Sequence, residues 1–155
     1  MKTDVEMLER NPLKILMADD DDDDKLLTKD ALTESRVLNE LYFVSNGVEL
    51  LDYLKGNGEY ADREKYPYPS IVLLDLNMPK MDGREALASI KADEKLRSIP
   101  VVILTTSKAE EDMIKGYNLG AASYITKPVT FDALVELMTT VGKYWVEFVE
   151  LPQHR

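Results

Sequence analysis

The chain contains no cysteine and a single histidine among its 155 residues. Without thiols there is neither a disulfide framework nor a thiolate metal site. The one histidine, His154, stands next to the C-terminus, which leaves little room for histidine-based catalysis or a transition-metal centre. No apolar run approaches the ~18 residues that a membrane helix needs, and no secretory leader pattern opens the chain. A soluble, cytoplasmic protein with no membrane partner is therefore expected. Basic residues are in deficit: 19 Lys and Arg face 29 Asp and Glu, a net charge of −10. That balance opposes binding to nucleic acid, which draws on basic patches, and suits basic partners or a site that concentrates cations.

What is present is globular. Hydrophobic residues make up 45% of the chain, enough for one domain with a proper core. Residues 1–12, "MKTDVEMLERNP", are polar and end at a proline, and read as a peripheral arm. After them, short apolar runs alternate with amphipathic stretches. "LKILMA" (13–18), "LYFVS" (41–45), "SIVLLD" (70–75), "PVVILTT" (100–106) and "AASYIT" (121–126) are strand candidates. Near-continuous apolar runs mark parallel strands covered on both faces. "DDKLLTKDALTESRVL", "GVELLDYLKG", "GREALASIKAD" and "EEDMIKGYNLG" carry apolar residues at helical spacing, and a last helix begins near Thr130 as N-cap. Five strand–helix repeats fit an open α/β sheet with right-handed crossovers.

Such a sheet carries its site outside the carboxyl ends of the strands. Asp19 and Asp20 follow the first run, Asp75 ends the third, Thr105, Thr106 and Ser107 close the fourth, and Lys127-Pro128 closes the fifth. Only the second ends without reactive groups, in Ser45-Asn46-Gly47. Carboxylates this close repel: two charges about 5 Å apart cost roughly 3 kcal/mol at an effective dielectric near 20. A hard divalent cation relieves this, and Mg²⁺ suits a small oxygen cluster that keeps several waters. Asp75 can then act as nucleophile and form an acyl phosphate, with the metal, Lys127 and the Thr105 hydroxyl neutralising the transferring group. Taken singly, each residue has a plainer reading: a solvated acidic tract, a turn aspartate, a strand-end threonine, a surface lysine. Their convergence on one rim favours the chemistry.

Asp19 and Asp20 open a run of six aspartates, Asp19–Asp24. Asp21 is expected to begin the loop. Asp22, Asp23 and Asp24 should fall in or before the first helical turn, favoured there by the helix dipole at about 0.3–1 kcal/mol each and without a part in the chemistry.

The acidic pair, "LLDLNMPKMDG", Thr105 and "SYITKPVT" together resemble the receiver domain of bacterial two-component response regulators, over about residues 13–143. The resemblance implies a flavodoxin-like, doubly wound, five-stranded parallel sheet of order 2-1-3-4-5 with five helices. It implies that Asp75 accepts a phosphoryl group from a sensor histidine kinase. Asp20, Asp75 and the Asn77 carbonyl would ligate Mg²⁺ (or Mn²⁺), and Asp19 would act mainly through a water. Lys127 and Thr105 would bind the phosphoryl oxygens. Asn77 and Ser107 would flank the phosphoryl group and tune its loss. Tyr124, otherwise a half-buried strand aromatic, would be the aromatic that turns inward when Thr105 moves. The Lys127–Pro128 bond would be cis. Two alternatives stand beside this: a degenerate receiver that binds partners without phosphoryl transfer, and an aspartyl-phosphate hydrolase of another α/β family. Asn77 stands where such hydrolases carry a second aspartate.

Residues 144–155 read as a C-terminal extension. Val141, Tyr144, Trp145 and Phe148 share one helical face. A helix from Thr130 to Phe148 would be about 28 Å long, against roughly 17 Å for a five-residue strand. The overhanging aromatics would meet a partner or fold back, unless Gly142 ends the helix. The long segment 55–70 and the "YWVEFVELP" ending resemble the response regulators that accompany bacterial and cyanobacterial phytochromes. That implies a phytochrome as the kinase and a homodimer through the face around the fourth and fifth helices and the C-terminal tail.

Overall fold

The computed structural model describes residues 12–36, 39–76, 78, 80–105, 123–128 and 130–143. Five parallel strands form one sheet in the order β2-β1-β3-β4-β5. They are β1 (Leu13–Ala18), β2 (Asn39–Val44), β3 (Ile71–Asp75), β4 (Val101–Thr105) and β5 (Ser123–Thr126). Helices α1 (Asp22–Ser35), α2 (Gly47–Lys55), α3 (Gly83–Ala92) and α4 (Phe131–Lys143) cover it. The helix expected over residues 110–120 lies outside the described residues.

Alternation along the central strands divides the core in two. Leu13, Ile15 and Met17 of β1, with Ile71 and Leu73 of β3, pack against Ala31 and Leu32 of α1 and Met138 and Val141 of α4. Leu16 and Ala18, with Val72 and Leu74, face the other way, toward Leu50 and Leu54 of α2 and Leu87 and Ile90 of α3. Both faces are therefore apolar, which is why β3 reads as an unbroken hydrophobic run up to Asp75 and β1 as one interrupted only by Lys14.

The edge strand starts earlier than its apolar residues suggest. Asn39 and Glu40 pair with Leu13 and Lys14, so β2 spans 39–44 rather than 41–45. An edge strand is half-solvated, and its polar residues join the ladder without needing an apolar environment. Helix α1 ends at Ser35, short of the expected extent through residue 38, because Arg36 turns into the left-handed region at φ 61°. In α4, Thr130 is the N-cap as expected, its Oγ1 accepting from Ala133 N at 3.2 Å. Gly142 lies inside that helix rather than ending it. Tyr144, Trp145 and Phe148 lie outside the described residues.

The long segment after α2 is packed down. The Arg63 guanidinium donates to the Tyr53 and Leu54 carbonyls at 2.8 and 2.9 Å, partnering backbone oxygens at the helix end. Tyr53, Tyr60 and Tyr66 stack edge to face or tilted, with centroids 5.0–5.8 Å apart. The Tyr53 hydroxyl donates to Pro67 O at 2.9 Å. Among the described residues no helix is long and apolar enough to cross a membrane.

Candidate functional site

Because β1 and β3 are adjacent and parallel, their carboxyl ends bring the acids together. Asp19 is fully buried, Asp75 is 5% exposed and Asp20 is open to solvent. Carboxylate oxygens of the three lie within 4.8 Å of one another. Lys127 arrives from the end of β5, two strands away. Its Nζ stands 3.0 Å from Asp19 Oδ2, 2.9 Å from Asp24 Oδ2 and 3.2 Å from Asp75 Oδ2. Among the described residues there is no cis peptide bond. The Lys127–Pro128 bond is therefore trans rather than the implied cis, and the ammonium reaches all three carboxylates from that backbone.

Charge and burial set the electrostatics. Burial pushes the Asp19 carboxyl up to about 6, against the opposing pull of the Asp21 N–H and of Lys127. For Lys127, burial works against the charged form. The hydrogen bond to Asp24, the charge of Asp75 and the hydrogen bond to Asp19 outweigh it and hold the ammonium above its usual range. The net picture is three clustered acids and one committed cation. A donor set of carboxylate oxygens alone, with no histidine or thiolate, fits a hard divalent ion, and Mg²⁺ with Mn²⁺ as substitute is the ion for it. Asp19, Asp20 and Asp75 are the described residues that would hold it. Asn77 lies outside the described residues.

The aspartate run is divided by function. Asp21 caps α1, its Oδ1 accepting from Asp23 N at 2.8 Å and Asp24 N at 3.2 Å. Asp22 is almost fully exposed and lies 3.5 Å from Lys25 Nζ. Asp24 differs from the expectation of a mere first-turn charge: it is the third helical residue and reaches Lys127. Asp24 precedes the buried Thr28 by four and the buried Ala31 by seven, which places it on the covered face of the helix.

The end of β2 also contributes, contrary to its bland sequence. Buried Asn46 caps α2 by accepting from Glu49 N at 2.9 Å. Gly47 N donates to Met81 O at 3.0 Å, and a Cβ on Gly47 would overlap Met81. The loop leaving Asp75 is thus seated against α2. At its far end Gly83 N donates to Leu76 O at 2.9 Å. A Cβ there would lie 2.7 Å from Asp75 O and Leu76 Cα. Thr105 ends β4 opposite Thr126 of β5, and Tyr124 pairs with Ile103 within the same ladder. Ser107 is outside the described residues.

A parallel α/β sheet with an acidic cluster and a lysine at its carboxyl edge defines a phosphoacceptor-type signalling module. Residues 15–139 match the response regulator receiver domain, and the chain belongs to that family of two-component signalling proteins. It is 41% identical to the response regulator Rcp1 of Synechocystis sp. over 145 residues, 93% of this chain and 97% of that protein. Among solved structures it resembles the phosphorylated cyanobacterial phytochrome response regulator RcpA. There the TM-score is 0.81 and the identity 39%, covering 92% of this chain and 99% of that one. The Mn²⁺-bound form of Rcp1 is similar too, with TM-score 0.78 and 39% identity over 92% of this chain and all of that one, 100%.

Proposed function

We propose that this receiver takes a phosphoryl group onto Asp75 from a phosphohistidine of a sensor kinase. A carboxylate oxygen of Asp75 bonds to phosphorus as the phosphorus–nitrogen bond breaks, and that bond's electron pair returns to the imidazole nitrogen. Lys127 donates to the phosphoryl oxygens, where the charge of the transition state lies. Thr105, at the end of β4, supplies a hydroxyl donor. Asp20, Asp75 and the Asn77 carbonyl would hold Mg²⁺, with Asp19 acting through a water, and the ion would supply neutralising positive charge to the same oxygens. The observation that carries the reading is the convergence of the Lys127 ammonium on Asp19 and Asp75 beside Asp20. No general base is required, so the protein promotes its own phosphorylation and its loss and acts on no outside substrate.

The output is a change of the receiver's own surface, with Thr105 and Tyr124 as the moving pair and dimerisation as the readout. Residues 13–143 form the receiver, 1–12 an arm, and 144–155 an extension in which Tyr144, Trp145 and Phe148 contact a second copy. The similarity to RcpA, a cyanobacterial phytochrome response regulator, supports a phytochrome as the kinase, and we place the protein in the cytoplasm. Incubation with acetyl phosphate and Mg²⁺, followed by intact mass, should add one phosphoryl group to the native chain and none to Asp75→Asn. A gain that persists in the variant, or needs no Mg²⁺, would reject the assignment.

A further inference from the structure

An ammonium has three N–H donors, and those of Lys127 face three carboxylates. A phosphoryl group on Asp75 brings new oxygens that need the same donors. At least one existing hydrogen bond must be given up for Lys127 to reach them. The three partners are unequal. Asp19 is fully buried and would lose its charged partner, keeping the Asp21 N–H at 2.9 Å, and Asp75 is the acceptor itself. Asp24 is 37% exposed at its side chain, so water can solvate it once Lys127 leaves. Its backbone is fixed meanwhile, because the Asp21 cap holds the Asp24 N–H at 3.2 Å.

We infer that Asp24 is a positioning residue: it tethers Lys127 in the unphosphorylated protein and is the partner that Lys127 releases when the phosphoryl group arrives. The inference rests on Asp75 as the phosphoacceptor. Asp24 touches neither the metal cluster nor the reacting atoms in this arrangement and acts only through Lys127. It sets how readily the lysine is handed over. An ion pair this exposed contributes little, so losing it changes rates by about two- to fivefold rather than by orders of magnitude.

The test has two arms. In the first, the unfolding of the native chain, Asp24→Asn, Lys127→Gln and the double variant is compared in EDTA, where coupling between the two positions reads the tether without any phosphoryl chemistry. Additive effects would overturn the proposal. In the second, the rate of phosphoryl gain from acetyl phosphate is measured at fixed, saturating Mg²⁺. Asp24→Asn should speed it about two- to fivefold, and the gain should vanish in the Lys127→Gln background. Asp22→Asn, which removes the same charge from the neighbouring exposed position, should leave the rate unchanged. An unchanged or slower Asp24→Asn rate overturns the role in handover, as does an acceleration that survives without Lys127 or appears equally in Asp22→Asn. If the native chain gains no phosphoryl group at all, the assignment of Asp75 fails, while the stability arm still decides whether the tether exists.

Discussion

Replacing Asp20 by Asn should stabilise the metal-free protein and weaken its metal binding, two opposite effects from one atom exchange. Oxygens of Asp20 lie within 4.8 Å of those of Asp19 and Asp75. At that distance each like-charge pair costs about 3.5 kcal/mol at an effective dielectric of 20 and about 0.9 kcal/mol in bulk water. Asp20 is exposed, so the lower figure applies, and the Lys127 charge offsets part of it. The Lys127 ion pairs involve Asp19, Asp24 and Asp75, so the substitution removes repulsion without breaking one of them. The balance is about 1 kcal/mol of added stability, or about 2–4 °C in Tm for a chain of this size. Mg²⁺ should reverse it. Loss of a charged oxygen ligand should weaken Mg²⁺ binding by roughly tenfold or more, so the native protein gains stability from the ion at concentrations where the variant gains little. Thermal unfolding in EDTA and in Mg²⁺, with calorimetric titration of the ion, reads both signs. A lower Tm for the variant in EDTA would show that the cluster is not strained by its charges. An unchanged Mg²⁺ affinity would remove Asp20 from the ligand set.

Gly83→Ala places a methyl 2.7 Å from Asp75 O and Leu76 Cα, both backbone. It should cost about 1–3 kcal/mol in denaturant unfolding and slow phosphoryl gain as well, because the strand end that carries Asp75 must move. A stable variant with native rates would mean that the loop yields freely. Two half-buried tyrosines predict an alkaline limit. Burial and the hydrogen bond to Glu40 push the Tyr42 hydroxyl up to about 12, and burial with the nearby glutamates does the same for Tyr60, also to about 12. A phenol whose folded pKa is raised contributes stability below its unfolded value near 10, and that contribution is lost as pH rises through the folded value. Tyrosinate absorbance should therefore rise in two phases, the second accompanying unfolding. A single phase near pH 10 with the fold intact would contradict it.

The order of strands and helices along the chain was legible because burial on both faces demands near-continuous apolar runs in β1, β3 and β4, and because Thr130 announces the start of the last helix. The convergence of Asp19, Asp20, Asp75 and Lys127 was legible for a topological reason: a parallel sheet gathers its strand ends on one edge, however far apart they lie in sequence. Two kinds of fact required the fold itself. Close approach is one. Gly47 looks like any loop glycine until Met81 is seen packed where its side chain would be, since nothing local records a neighbour thirty-four positions away. Competition for a shared partner is the other. Six identical aspartates carry no mark of which one faces a lysine more than a hundred residues later. Only helix phase and the position of β5 decide that Asp21 caps, Asp22 meets water and Asp24 holds Lys127.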